Sequence, residues 1–224
     1  MTGGPRLRLL SCSLGGHRPV PSLRTLVRSL APDVMLVRDG PRRLRWRTRS
    51  AAIADEFGLV VAGGGEPALG NLALVSLRVA VHETWCVQFP LTPGRLMRGA
   101  VLARCSVGGQ RFVVAGSRLA PDRDERARQG IVLARVLSEV EGPLLVAAEL
   151  GEAPGGPYWS TIGDGRLHAA AGNRTSEGSS AIFVDPGVTV RDYRTIAVAG
   201  GTSAIMADLT LGASGQMVTG GESH

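Results

Sequence analysis

The sequence predicts an α/β domain in which two β-sheets pack on each other and a few helices cover the outside. Three observations lead to this prediction. The 224 residues are 44% hydrophobic and only 20% charged, which provides enough apolar material for one buried core. Short apolar runs bounded by turn residues outnumber the helical patterns. Several of these runs follow each other directly, unlike the strict strand–helix alternation of a Rossmann sheet.

The chain begins with alternating strand and helix patterns. A strand with alternating burial is predicted over 6–14. In the helix that follows, apolar residues from Leu23 to Leu30 recur at helical spacing, and Ser22 is the predicted N-cap. A buried strand is then predicted over 33–39.

The rest of the chain contains two more helices and most of the strands. One helix has an apolar face from Trp46 to Phe57, and the other lies within 121–140, with acidic residues at its N-terminal end. The paired glycines Gly108 and Gly109 indicate a hairpin turn. The predicted strands cover 58–63, 71–77, 81–91, 98–109, 110–119, 143–150, 181–190 and 203–211. Residues 1–5 and 212–224 are predicted to be flexible.

The charge pattern excludes some chemistry and suggests one partner. All 25 basic residues are arginine, so mechanisms that need a lysine amine, such as a Walker A clamp or a Schiff base, are excluded. Residues 1–112 hold 16 Arg against 6 acids and residues 113–224 hold 9 against 13, so the net charge of +6 arises in the first half. The densest patch contains Arg42, Arg43, Arg45, Arg47 and Arg49. This patch is either a weak nucleic-acid contact or a solvated helix start.

Compartment and cysteine chemistry give further expectations. No stretch approaches the ~20 apolar residues of a membrane helix and no signal peptide is recognisable, so we expect a cytoplasmic protein with no membrane contact. Cys12, Cys86 and Cys105 are odd in number and lie in apolar segments, which predicts reduced core cysteines. The four histidines lie in no zinc-binding array, and no G-x-S-x-G or G-x-G-x-x-G sequence is present.

Six segments are strands followed by short polar or turn sequences: RLRLLSCSLGG, APDVMLVRDG, GQRFVVAGSRLAPD, GPLLVAAELGEAP, SSAIFVDPGVTV and GTSAIMADLTL. In order and spacing they resemble the endonuclease/exonuclease/phosphatase family, the metal-dependent phosphoesterases that include pancreatic deoxyribonuclease. The resemblance covers about residues 6–211. It implies a four-layer α/β sandwich, with two packed mixed sheets flanked by helices.

The residues that carry the family's chemistry are replaced in this chain. The family has a first-strand Asn, a Glu in PDV-x-x-LQE, a His in T-H-L, an Asp and an Asn in GDxN, an Asp in RIDY and a final Asp-His pair. At the matching positions this chain has Ser13, Asp39, Arg118, Glu149, Gly151, Ser180, Gly201 and Thr202. No catalytic position is therefore intact, and Asp39 and Glu149 are the two carboxylates that remain.

The resemblance implies a Mg²⁺ ion held by carboxylates, together with a His–Asp pair that activates water. Here Gly201 and Thr202 offer no proton acceptor, and Arg118 stays protonated. We therefore favour a degenerate, non-catalytic pseudoenzyme that needs no cofactor and serves as a binding or scaffold protein. Its partner would be an unidentified protein or a phosphate-containing ligand. Arg118 either neutralises Asp39 and Glu149 in place of the metal or points to solvent.

The alternative is a divergent Mg²⁺-dependent phosphoesterase, a phosphodiesterase or phosphatase acting on nucleic acid or a small phosphate ester. In that case Asp39 and Glu149 are the metal ligands.

Overall fold

The computed structural model describes residues 4–163, 166–172, 179–198 and 202–212. Within these ranges the chain forms two six-stranded sheets and four helices. The first sheet consists of β1 (Arg6–Ser13), β2 (Val34–Arg38), β3 (Val60–Gly65), β4 (Asn71–Val75), β11 (Val188–Val198) and β12 (Thr202–Leu211). The second consists of β5 (Ala80–Gln88), β6 (Gly99–Val107), β7 (Gln110–Arg118), β8 (Leu144–Glu149), β9 (His168–Ala169) and β10 (Ser180–Val184). The helices are α1 (Pro21–Leu30), α2 (Trp46–Phe57), α3 (Arg123–Ser138) and α4 (Pro157–Gly163).

Both sheets are mixed and have one parallel pair at the centre. The strand orders are β11-β12-β1-β2-β4-β3 and β5-β6-β7-β8-β10-β9. The parallel pairs are β1 with β2 and β7 with β8, and all other neighbouring strands are antiparallel. A parallel pair requires a crossover connection, which α1 supplies in the first sheet and α3 in the second.

Three apolar clusters divide the molecule into four layers. The central cluster lies between the sheets and contains Leu9 and Leu36 from the first and Phe112 and Val114 from the second. A second cluster joins α3 and α4 to the outer face of the second sheet. A third joins α1 and α2 to the outer face of the first sheet. The predicted α/β sandwich of two mixed sheets flanked by helices is therefore confirmed.

Most local predictions hold, with corrections at 181–190 and at α1. The single strand predicted over 181–190 is two strands, β10 in the second sheet and β11 in the first, because the chain passes from one sheet to the other between them. Gly108 and Gly109 have positive φ angles of 54° and 79° and join β6 to β7, as the predicted hairpin turn requires. The prediction that Ser22 caps α1 is wrong, because the helix begins at Pro21 and Val20 is the N-cap residue, without a side-chain cap. Proline suits the first helical position, where its missing N–H has no partner to lose.

The cysteines are free, as predicted, and Cys12 and Cys105 are fully buried while Cys86 is half-buried. Burial raises the pKa of the Cys12 thiol to about 12 and that of Cys105 to about 11. Of the two segments predicted to be flexible, residues 1–3 and 213–224 lie outside the described residues. In the described part of the chain, no helix is both long and apolar enough to cross a bilayer.

Candidate functional site

The two parallel pairs bring four strand ends to one edge of the sandwich. In the first sheet Ser13 at the end of β1 is in register with Arg38 at the end of β2. In the second sheet Arg118 at the end of β7 is in register with Glu149 at the end of β8, and Ser180 pairs with Glu149 from β10. Ligands of open α/β sheets bind outside the carboxyl ends of parallel strands. This edge is therefore the candidate site.

Asp39 follows β2 and is held by contacts from both sheets. Its φ of 51° lies in the left-handed region, which Asp adopts more readily than most residues. The Ser13 hydroxyl donates to Asp39 Oδ2 at 2.8 Å, and Arg98 Nη1 lies 3.4 Å from Oδ1. Arg118 Nη1 also donates to Oδ2. Asp39 thus has two arginines and one hydroxyl around its carboxylate.

Arg118 connects Asp39 and Glu149, the two carboxylates at this edge. Besides its bond to Asp39, its Nε lies 3.3 Å from Glu149 Oε1. The predicted contact with both carboxylates is confirmed, and the alternative in which Arg118 points to solvent is wrong. Because β7 and β8 are parallel and in register, Arg118 and Glu149 are neighbours across the sheet, while Asp39 approaches from the other sheet.

Arg38 is buried beneath this contact, with only 3% of its surface exposed. Its Nη1 donates to Ser180 Oγ at 2.9 Å, and its Nε lies 3.6 Å from Glu149 Oε2, close enough for an ion pair but too far for a hydrogen bond. Burial lowers the pKa of Arg38, and the charge of Glu149 opposes that shift. Because arginine stays protonated in proteins, Arg38 is a buried cation that depends on Glu149 for compensation.

These contacts form an arginine–carboxylate cluster of Arg38, Arg98, Arg118, Asp39 and Glu149. Three guanidinium groups face two carboxylates, so the formal charge of the cluster is +1. Mg²⁺ requires near-octahedral oxygen ligands, but both carboxylates here are already engaged by arginines, whose charges would repel the ion. The residues present therefore do not fit a magnesium site. Among the described residues, no group of three or more His, Cys, Asp or Glu side chains is placed to hold a metal.

The remaining predicted positions are only partly described. Gly151 follows β8 with a φ of 68°, and it lines a shallow cavity of about 660 Å³ together with Glu149. Ser180 holds Arg38 through its hydroxyl. Thr202 is the first residue of β12, but its side chain and Gly201 lie outside the described residues. The interpretation of this last pair stays a prediction.

The basic patch lies beside the cluster, in the loop after β2 and the first turn of α2. Arg42 is half-buried, and Arg43, Arg45, Arg47 and Arg49 are exposed. None of these five forms an ion pair with a carboxylate in the described part of the chain. The guanidinium of Arg47 lies 4.4 Å from the centre of the Trp46 ring. The patch thus starts α2, as the solvated alternative expected, and it also carries uncompensated charge.

Two members of the cluster were not singled out from the sequence. The place of Arg38 next to Asp39, at the end of a predicted strand, is a usable signal for its part in the site. Arg98 directly precedes β6 and reaches Asp39 across a sequence separation of 59 residues, for which the sequence offers no signal.

Comparison with known proteins supports this fold. No family model matches the sequence, and no curated protein sequence matches it. Among solved structures, an endonuclease/exonuclease/phosphatase family protein from Bacteroides thetaiotaomicron is similar with a TM-score of 0.74 and 11% identity, covering 94% of this chain and 99% of that one. A mannosyl-6-phosphatase from the same species has a TM-score of 0.72 and 10% identity, covering 91% and 99%.

A third similar structure is D. rerio TDP2 in complex with a single-strand DNA product, with a TM-score of 0.68 and 15% identity, covering 91% and 98% of the two chains. At these identities the likeness establishes the fold and leaves the chemistry to the site residues. The chain therefore has the endonuclease/exonuclease/phosphatase fold that its segment order suggested.

Proposed function

We propose that this chain is a non-catalytic protein that uses the endonuclease/exonuclease/phosphatase fold for binding or as a scaffold. The observation that carries the proposal is the bridge from Arg118 to both Asp39 and Glu149. The similar structures include a phosphatase and a DNA-bound protein. The fold therefore accommodates phosphate-ester ligands, and activity in this chain depends on its own site residues.

The arginine–carboxylate cluster removes the electrostatic basis of metal-assisted hydrolysis. Such hydrolysis needs carboxylate oxygens that are free to hold a cation and a base that can take a proton from water. Asp39 and Glu149 are both paired with guanidinium groups. Arg118, at the matching position of a family histidine, remains a cation at neutral pH and cannot accept a proton. The cluster stabilises two carboxylates by ion pairing where the family's chemistry uses a metal.

Histidines in the described chain do not replace the missing base. His82 bonds to Ser106 Oγ at 2.8 Å on β5 and β6, and His168 lies on β9 at the edge of the second sheet. His17 follows β1 and lines a cavity beside the cluster, and within the described residues its side chain forms no hydrogen bond or ion pair with Asp39 or Glu149. These positions support a role in which a ligand or partner binds without being hydrolysed.

The test is a hydrolysis assay on the purified full chain with millimolar Mg²⁺ or Mn²⁺. The substrates are a chromogenic phosphomonoester, a chromogenic phosphodiester, plasmid DNA and an abasic-site duplex. We expect no turnover above a protein-free blank. Metal-dependent turnover that is lost in both Asp39→Ala and Glu149→Ala would overturn the proposal and support the divergent phosphoesterase. The control variant Arg111→Gln, with an exposed arginine at the other end of β7, distinguishes loss of the site from a general effect of substitution.

A further inference from the structure

A basic cavity beside the arginine–carboxylate cluster has the size and lining of a ligand site. We propose that it binds a small phosphate ester of nucleotide size. The cavity has a volume of about 610 Å³ and lies between the loop after β1 and the start of α2. This volume falls within the ~300–1,000 Å³ typical of small-molecule sites. The cavity adjoins the arginine–carboxylate cluster through a backbone hydrogen bond, in which the Gly16 N–H donates to the Asp39 carbonyl at 2.8 Å.

The charge lining the cavity is positive and largely uncompensated. Arg18, Arg45, Arg49 and His17 line it, and no lining residue is acidic. Arg18 has a weak ion pair with Glu56 at 3.7 Å, while the side chains of Arg45 and Arg49 have no ion pair or hydrogen bond within the described residues. Guanidinium groups bind phosphate oxygens through paired N–H donors. A phosphate group would therefore neutralise charge that the protein itself leaves unpaired.

Backbone donors add to this charge at the same place. The residue before α2, Arg45, has a φ of 61° and gives no side-chain cap, and the first turn contains no acidic residue. The N–H groups of Trp46, Arg47 and Thr48, the last of which lines the cavity, have no acceptor within the helix. The first turn of α3 is different, because Asp122 accepts a hydrogen bond from Glu125 N–H at 3.1 Å. An oxyanion in the cavity would supply the acceptor that α2 lacks.

An apolar wall completes the cavity and favours a compact ligand over a polynucleotide. Pro41, Ala52 and Ile53 contribute to its lining. A ligand with a phosphate at one end and a flat or apolar body at the other satisfies both parts of the lining. Contact with a nucleic-acid strand needs only the exposed arginines on the surface and leaves this wall unused. A small phosphate ester therefore accounts for more of the observed lining.

The experiment is isothermal titration of the full chain with ADP and, separately, with inorganic pyrophosphate at ~50 mM salt, where phosphate contacts are strong. Three variants accompany it. Arg49→Gln removes one lining charge, and Ala52→Trp fills the cavity from an exposed helix position without changing charge. Arg123→Gln is the matched control, since Arg123 is an exposed arginine in the first turn of the capped helix α3.

We expect the wild-type chain to bind both ligands. Arg49→Gln should bind at least ~10-fold more weakly, because one charge-assisted hydrogen bond to the phosphate is lost. Ala52→Trp should lose ADP binding, and Arg123→Gln should retain it. A thermal melt of each variant confirms that it is folded. No binding by the wild-type chain overturns the proposal, and so does ADP binding that Ala52→Trp leaves unchanged. If the wild-type chain binds single-stranded DNA but neither ADP nor pyrophosphate, and Ala52→Trp binds the DNA equally well, the arginines form a polynucleotide contact and the proposal is overturned.

The ligand class extends the proposed non-catalytic binding role and in that sense rests on it. The two tests remain separable, because the titration measures binding with no divalent metal present and the assay of the proposed function measures turnover. A chain that binds ADP and hydrolyses esters would contradict only the proposed function. A chain that does neither would contradict only the ligand assignment.

Discussion

Replacing Arg118 by alanine should destabilise the protein by about 2 kcal/mol. Breaking one side of a fully buried ion pair costs ~3–5 kcal/mol, whereas an exposed pair contributes ~0–1 kcal/mol. The Arg118 side chain is 29% exposed, and those of Asp39 and Glu149 are 21% and 20% exposed, so the site lies between these limits. Each carboxylate also keeps a second arginine, Arg98 for Asp39 and Arg38 for Glu149, which reduces the loss.

The assay is urea denaturation followed by tryptophan fluorescence, to which Trp159, buried against the second sheet, contributes. For a domain of this length, a loss of about 2 kcal/mol corresponds to a fall of ~4–8 °C in Tm. Arg111→Ala is the control on the same strand, because Arg111 is exposed and forms no ion pair with the described residues. The free energy of unfolding of this control should stay within ~0.5 kcal/mol of the wild-type value. A similarly small effect for Arg118→Ala would refute the view that this arginine compensates both carboxylates. The double variant with Glu149→Gln should lose more stability than Arg118→Ala alone, because it also leaves the buried Arg38 without a counter-charge.

Three further outcomes follow from single contacts. Arg98→Ala should lower the free energy of unfolding by about 1 kcal/mol in the same urea assay, because Arg98 contacts only one carboxylate, at 3.4 Å. This loss should be smaller than that of Arg118→Ala, and an equal or larger loss would contradict the ranking. Cys12 and Cys105 should resist a thiol reagent at mildly alkaline pH until urea unfolds the chain. Burial raises their pKa values to about 12 and about 11, which leaves little thiolate in the native protein. Rapid modification of both cysteines in the native protein would disprove this prediction. Asp122→Ala should lower Tm at neutral pH, and the difference should shrink as the pH falls through the folded pKa of this group. The N-cap hydrogen bond holds that pKa below the ordinary 3.8, so the stabilisation is present above the unfolded value and is lost in acid. A pH-independent difference in Tm would exclude this linkage.

The sequence specified the scaffold better than the site. Apolar runs and the Gly108–Gly109 turn predict strands and hairpins because these depend on neighbouring residues. The helix α4 and the two-residue strand β9 were not predicted, since neither has a clear apolar period and β9 exists only through pairing with β10. Similarly, Arg98 belongs to the site only because the loop before β6 returns to Asp39, a tertiary contact with no local signature.

The geometry of the fold explains why arginine is a suitable counter-charge at this edge. Parallel pairs in both sheets end side by side, so residues placed on β1, β2, β7 and β8 by separate parts of the sequence share one small volume. Two carboxylates in that volume repel each other unless a cation lies between them. A planar guanidinium can donate to two acceptors in different directions and never loses its proton. Arg118 does this for Asp39 and Glu149. The same permanent charge that makes Arg118 a stable counter-charge prevents it from acting as a general base.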